Sequence, residues 1–233
     1  MKKTILSIAL LFVAGFALNA QTADEIIGKY ITAIGGAEKW SKVQSVKVEG
    51  QIEVQGIVIP YTMQGVQMKG TRMDAEFQGN KIIDITTPTK GWAQNPFSGK
   101  ATLEPISDDE LKAKVDQLDL QDEFVDYKTK GSSVEFLGKD EEEGNEYFKI
   151  KLTTKNKNES TYYFDTKTYL VYKKESVTKV QGQEVKQAIK LLDYQTLDYG
   201  IKMAFKQDLG PMMMVSKKIT INAVIDESIF KGN

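Results

Sequence analysis

The chain has 233 residues and a net charge of −1, from 31 Lys and Arg against 32 Asp and Glu, so it lacks the basic excess of a nucleic-acid-binding protein. It contains no histidine and no cysteine. The commonest general base and transition-metal ligand is therefore missing, and neither a disulfide nor a lipid anchor on cysteine is available. We expect a non-enzymatic protein without cofactor or metal, held together by its hydrophobic core.

The first twenty residues have the order of an export signal. Lys2 and Lys3 precede an apolar run from Ile5 to Leu18, and the small residue Ala20 follows. This run is shorter than a comfortable membrane span. We expect residues 1–20 to be a signal peptide cleaved near Ala20, and residues 21–233 to form one periplasmic domain without a lipid anchor.

A helix is predicted directly after this segment. Thr22 and Glu25 have the spacing of a capping box, in which each side chain binds the backbone of the other residue. Gly35 and Gly36 end the helix. Its apolar face follows helical spacing and consists of Ile26, Ile27, Tyr30, Ile31 and Ile34.

The next segments alternate between apolar and polar residues, as half-buried strands do. Val48, Ile52 and Val54 alternate with polar residues, and Gly50 interrupts them as a weak point or bulge. After Gly56 the alternation resumes, so the two segments predict a hairpin. Further strands are predicted at 67–77, 81–86 and 90–95.

A second helix is predicted from the capping box of Ser107 and Glu110. Its apolar side is expected to consist of Leu111, Val115, Leu118, Leu120, Phe124 and Tyr127. Strand patterns resume after Gly131 and continue to residue 224 with short turns, which indicates an antiparallel meander. The fold class is therefore mainly β: a strongly curved antiparallel sheet, or half-open β-barrel, with two short helices.

A curved sheet of this size encloses more concave surface than two short helices fill, so we expect an apolar cavity. The run Met212–Met214 suits such a place, because methionine fills irregular apolar space. Alternate residues of a strand point to opposite faces, and the run is compatible with plain core packing or with ligand contact. Trp92 and Phe97 either cap the core or form the lip of the cavity.

Other polar features have two interpretations as well. The acidic run Asp140–Glu143 is a solvated hairpin loop or a cation site. Asp165, Asp193 and Asp198 either cap turns or form a carboxylate pair of a hydrolase. Arg72, the only arginine, is a strand-surface residue or a fixed donor that holds a lid or a polar head group.

Several stretches, in this order, resemble the periplasmic outer-membrane lipoprotein carriers in the forms common in Bacteroidetes. They are ADEIIGKY at 23–30, GWAQNPF at 91–97, YYFDTKTYLV at 162–171, Asp193-Tyr194 with Gly200-Ile201-Lys202, and INAVIDESIF at 221–230. The resemblance covers nearly the whole chain after residue 20. It implies a half-open β-barrel, whose helical lid covers a hydrophobic face that binds acyl chains.

On this resemblance we expect a carrier that takes acyl chains of lipoproteins or other lipids toward the outer membrane. Its partners would be transient donor and receptor proteins at the membranes, and the chain would act as a monomer. The expected cavity residues are Val48, Ile52, Val54, Met63, Met73, Phe77, Trp92, Phe97 and Met213, and the expected lid residues are Ile27, Ile31, Leu118, Phe124 and Arg72.

Two other functions remain open from the sequence. One is a periplasmic interaction or scaffold domain, in which Ile26, Ile31, Leu118 and Phe124 pack the concave face shut. The other is a hydrolase that uses carboxylates alone, which would require two of them to face one cleft.

Overall fold

The computed structural model describes residues 23–180 and 183–232. Helix α1 covers residues 23–33, and a single turn, α2 (Ala37–Trp40), follows it. The predicted apolar face is buried at Ile26, Ile27 and Ile34. The predicted cap, Thr22, lies outside the described residues. Gly35 ends the helix at φ 110°, and a Cβ there would lie 2.5 Å from the Gly200 carbonyl oxygen, so no other residue fits.

Thirteen strands follow. They are β1 (Ser45–Val54), β2 (Ile57–Val66), β3 (Gly70–Phe77), β4 (Asn80–Thr86), β5 (Gly91–Asn95), β6 (Lys100–Pro105), β7 (Ser133–Glu142), β8 (Asn145–Thr153), β9 (Glu159–Asp165), β10 (Val171–Val180), β11 (Gln183–Thr196), β12 (Lys202–Asp208) and β13 (Met212–Ile221). The sequence patterns locate all of them except β6, whose alternation is too weak to distinguish from a loop.

The strands form one antiparallel sheet in the order β6-β5-β4-β3-β2-β1-β13-β12-β11-β10-β9-β8-β7. Two meanders are thus joined where the first and last strands pair, and the edge strands β6 and β7 do not meet. This open antiparallel sheet with short helices confirms the predicted fold class. The joining pair includes a shift of register between Glu49 and Gly50, beside the glycine expected as a weak point or bulge, and the extra residue is Lys217 of β13.

One face of the sheet, the inner face, packs against α1, and the opposite face is the outer face. Val48, Ile59, Ile150 and Phe164 of the inner face belong to the same buried cluster as Ile27 of α1. Burial of such apolar side chains stabilises the fold by about 1.5–3 kcal/mol each. The helix therefore fills part of the concave side and fixes its shape.

The second predicted helix is shorter than its apolar pattern suggested. Ser107 and Glu110 form the capping box as predicted, and α3 (Asp108–Lys114) continues only into a 3₁₀ turn, Val115–Leu118. Beyond it the chain is irregular, and Asp122 has φ 65°. Leu120, Phe124 and Tyr127 therefore do not lie on a helix, because buried contacts along this segment decide its path.

The chain ends in a 3₁₀ turn, Glu227–Phe230, that lies against the outer face. A Cβ on Gly70 of β3 would lie 2.6 Å from the Phe230 ring, so only glycine allows this approach. The C-terminal segment thus covers the outer face of β3.

Candidate functional site

The inner face has one filled half and one half with space. In the filled half, over β8–β10, the Phe124 ring makes edge contacts with the rings of Tyr30, Tyr162 and Phe164, at centroid distances of 5.6, 4.8 and 5.3 Å. Phe124 is 1% exposed and belongs to the core cluster with Val125 and Tyr127. The irregular segment 118–127 begins beside the turn between β2 and β3, where the Leu118 carbonyl accepts from the Met68 N–H, and its part around Phe124 is a plug in this half.

The other half, over β1–β3 and β12–β13, retains a cavity of about 390 Å³. Four methionines line it, together with aliphatic, polar and charged residues. The lining consists of Val46, Val48, Tyr61, Met63, Thr71, Arg72, Met73, Asp84, Lys114, Gln117, Met203, Ala204, Gln207, Met214, Ser216 and Ile219. This volume lies within the range of small-ligand sites. Methionine side chains are flexible and polarizable, so they adapt to apolar ligands of different shape.

Strand register decides which methionines reach this cavity. Met63 pairs with Met73, and Met214 pairs with Ile52, so all of them are on the inner face. Met213 instead pairs with Glu53 on the outer face. The structure thus corrects the expected position of Met213. An unbroken alternation from Ile219 would direct residue 213 inward, but the bulge beside Gly50 inserts one residue and reverses the faces.

The remaining strand residues expected at the cavity lie on the inner face. Val48, Met63 and Met73 line the cavity itself. Ile52, Val54 and Phe77 are half-buried and pack against the core cluster. Phe97 lies on the 3₁₀ turn Pro96–Ser98, is 59% exposed, and has its ring 5.9 Å from that of Phe77.

Trp92 lies on the outer face, not at the cavity. It pairs with Ile85, which pairs with Arg72, and residues opposite each other in an antiparallel ladder share a face. The C-terminal segment covers the indole, because a Cβ on Gly232 would lie only 2.1 Å from its ring.

Arg72 also points to the outer face, away from the expected lid. Its Nε and Nη2 donate to the Asp74 carboxylate at 2.7 Å, and its Nη1 donates to the Ile229 carbonyl at 3.0 Å. The guanidinium therefore fastens the C-terminal 3₁₀ turn to β3. A planar fork suits a carboxylate and a carbonyl together, which explains an arginine here among so many lysines.

Most of the expected lid residues belong to the fixed core. Ile27 is 2% exposed, Phe124 is buried in the same cluster, and Ile31 is half-buried against it. The element that covers the cavity is the end of α3 with its 3₁₀ turn, because Lys114 and Gln117 are among the lining residues. Leu118, the last residue of this turn, is the one expected lid residue in the covering element, and it is fully buried.

Polar contacts fasten this covering segment on both sides. On one side the Lys114 ammonium donates to the Asp84 carboxylate of β4, and both side chains are about one-third exposed. On the other side Asp116 accepts hydrogen bonds from Thr154 Oγ1 and from the side-chain amides of Asn156 and Asn158. An exposed ion pair contributes about 0–1 kcal/mol, so the Asp84 side is the weaker fastening.

Lys114, Asp84 and Met203 were missed in the sequence. Asp84 lies between Ile83 and Ile85, and this run of isoleucines hides the face to which the aspartate points. Only the pairing of Asp84 with Met73 places it on the inner face.

Two carboxylates, those of Asp122 and Glu123, hold the plug in place. The Tyr30 hydroxyl and the Phe124 N–H donate to the Asp122 carboxylate at 2.6 and 2.9 Å. Burial raises the pKa of the Asp122 carboxyl to about 6. Glu123 accepts hydrogen bonds from the Tyr162 hydroxyl and, at 2.6 Å, from the Lys174 ammonium.

Two other carboxylates considered for chemistry, those of Asp165 and Glu142, are engaged locally. Asp165 accepts from the N–H groups of Lys167 and Thr168 and caps a turn. Glu142 pairs with Lys173 and Lys190 across the outer face. Within residues 23–180 and 183–232, no cluster of three potential metal ligands is found. Over the same ranges, no helix is long and apolar enough to span a membrane.

No protein-family model matches the sequence, and no curated protein matches it. Solved structures do match it in fold. A LolA-superfamily protein from Nitrosomonas europaea has 10% identity and a TM-score of 0.56, over 91% of this chain and 97% of its own. A candidate outer membrane lipoprotein-sorting domain from Vibrio parahaemolyticus has 12% identity and a TM-score of 0.54, over 91% and 97%.

A DUF1329 family protein from Desulfovibrio piger has 11% identity and a TM-score of 0.54, over 87% of this chain and 95% of its own. The chain therefore has the fold of LolA-superfamily and lipoprotein-sorting proteins, as the sequence resemblance implied.

Proposed function

We propose that this protein is a periplasmic carrier, which binds acyl chains of lipoproteins or lipids in the methionine-lined cavity and passes them toward the outer membrane. The observation that carries the proposal is the apolar cavity of about 390 Å³ in a half-barrel whose other half is filled. A fold shared with lipoprotein-sorting proteins supports the same function.

Binding in such a site depends on apolar burial. Each methylene that leaves water contributes about 0.8 kcal/mol, and flexible methionines accept chains of different shape. The cavity opens beside the partly exposed pair of Asp84 and Lys114, which keeps a polar head group in contact with water. Because this fastening is weak, the covering segment can move aside at a small cost, and the chain can be handed to a receptor that binds it more tightly.

The proposal includes how the protein reaches its place of action. Residues 1–20 direct export and are removed near Ala20, and residues 21–233 act as one monomeric domain in the periplasm. Donor and receptor proteins at the two membranes would contact it transiently.

Met214→Asp tests the proposal, with Met213→Asp as the matched control. Both substitutions place a carboxylate in the same strand, but only residue 214 faces the cavity. An unpaired charge in an apolar site is strongly unfavourable. We expect Met214→Asp to lower the affinity for a fluorescent fatty acid by at least tenfold, while Met213→Asp leaves it unchanged.

Circular dichroism and thermal unfolding would establish that both variants are folded. Native mass spectrometry of wild-type protein from a periplasm, with lipid extraction, would identify co-purifying acyl cargo. Equal affinities for the two variants, or a lipid-free protein that takes up no fatty acid, would refute the proposal.

A second candidate, a non-catalytic interaction or scaffold domain, is favoured by the filled half. There Phe124 packs against three aromatic rings and closes the concave face as a core does. A clean apo mass with no uptake of acyl probe would support this function over the carrier.

A further inference from the structure

The cavity has a definite capacity. A cavity of 150 Å³ in another protein holds one benzene, a molecule with six carbons. A methylene group is roughly the size of a water molecule, which occupies about 30 Å³ of liquid. By these two measures, the cavity of about 390 Å³ accommodates about 13 to 16 carbon atoms of a chain. This is one acyl chain of ordinary length.

The neighbouring concave spaces are unsuitable for a second chain. One of about 530 Å³ has five charged lining residues, Asp116, Asp119, Glu123, Lys130 and Lys155, beside the apolar Met68, Pro88, Val115 and Leu152. Another of about 380 Å³ is lined by Lys112, Glu123 and Lys174, among other polar residues. An apolar chain placed there would desolvate charged groups without compensating them.

The charged side chains at the cavity indicate where a head group lies. Asp84 and Lys114 are about one-third exposed, so they stand at its opening, and the methionines lie inside. A polar head beside this pair keeps its hydrogen bonds, whereas a head inside the cavity would lose them.

We infer that the site binds a single-chain amphiphile, one acyl chain of about 13 to 16 carbons at a time, with the polar head at Asp84 and Lys114. This inference rests on the proposed function and narrows its ligand class. A lipid with several chains would place one chain in the cavity and leave the others outside the site.

A chain-length series tests this capacity. The probes are straight-chain alkanoates from octanoate to stearate. Their affinity is measured by displacement of a fluorescent fatty acid, and the number of chains bound per protein by native mass spectrometry. We expect about a fourfold gain in affinity for each added methylene, until the cavity is full at about 13 to 16 carbons, and no gain beyond. A diacylglycerol is expected to bind no more tightly than the monoacylglycerol with the same chain.

Two cavity variants test whether this site sets the limit. Met214→Trp fills the cavity and should shorten the limiting length, and Met213→Trp, on the outer face, should leave it unchanged. Met73→Ala enlarges the cavity and should lengthen the limit, so the test does not depend on one variant that folds poorly.

The outcomes separate the two proposals. Two or three bound chains, a gain that continues through stearate, or a limit that no variant moves would overturn the single-chain inference while leaving the carrier function intact. Failure of every alkanoate and glyceride to bind would refute the carrier function itself.

Discussion

Replacing Phe124 with alanine tests whether segment 118–127 is a fixed plug or a movable lid. The Phe124 ring is 1% exposed and makes edge contacts with three aromatic rings. Truncation of a buried phenylalanine costs about 3–5 kcal/mol, and aromatic pairs contribute about 0.5–1.5 kcal/mol each beyond buried area. Three such pairs place the expected loss at about 4–5 kcal/mol, a large part of the stability of an ordinary domain.

Urea denaturation followed by tryptophan fluorescence measures this loss. Phe97→Ala is the matched control, because Phe97 is 59% exposed and has one ring neighbour, so its loss should be below about 1 kcal/mol. The affinity of folded Phe124→Ala for an acyl probe should remain, since Phe124 is absent from the lining of the methionine cavity. Equal losses for the two variants would show that the segment is not packed as a plug.

Two further predictions concern the plug and the C-terminal segment. Folding raises the pKa of the Asp122 carboxyl from 3.8 to about 6. The ionised carboxylate is therefore less favourable in the folded protein than in the unfolded one, so the free energy of unfolding falls as pH rises from about 4 to about 6. Above pH 6 the loss stays constant at about 3 kcal/mol. Asp122→Asn cannot ionise and should lack this loss. Urea unfolding of both proteins from pH 4 to pH 7 measures the difference, and parallel plots of unfolding free energy against pH would contradict the prediction. Gly70→Ala should destabilise the protein by about 1–3 kcal/mol, because the new methyl group would meet the Phe230 ring at 2.6 Å. Gly28→Ala, in α1 with open space around it, should instead be neutral or stabilising, and thermal unfolding that ranks the two variants alike would contradict this reading.

Local chemistry in the sequence determined the elements and much of the site. Alternation predicted β1 and β2 with Gly50 as a weak point or bulge, and the capping box of Ser107 and Glu110 marked the start of α3. Both signals depend on residues close in the chain, so they need no tertiary context. Of the expected cavity residues, Val48, Met63 and Met73 line the cavity as well.

Contacts between distant residues decided the rest. The spacing of Leu118, Leu120, Phe124 and Tyr127 fits a helix. In the structure these residues reach their buried or half-buried positions from an irregular segment instead. The alternation around Arg72 and Trp92 is compatible with either face of the sheet. Only their pairing with β4 and their contacts with the C-terminal segment place them on the outer face. Met213 and Met214 are the clearest example. Alternation predicts that their side chains point to opposite faces of the sheet, and the bulge between β1 and β13 determines which of them points inward. A strand repeats every two residues, so the single extra residue of β13, Lys217, exchanges the faces of the residues before it. Its position is defined only by the pairing with Glu49 and Gly50 of β1, more than 150 positions away, and the methionine run itself does not show it.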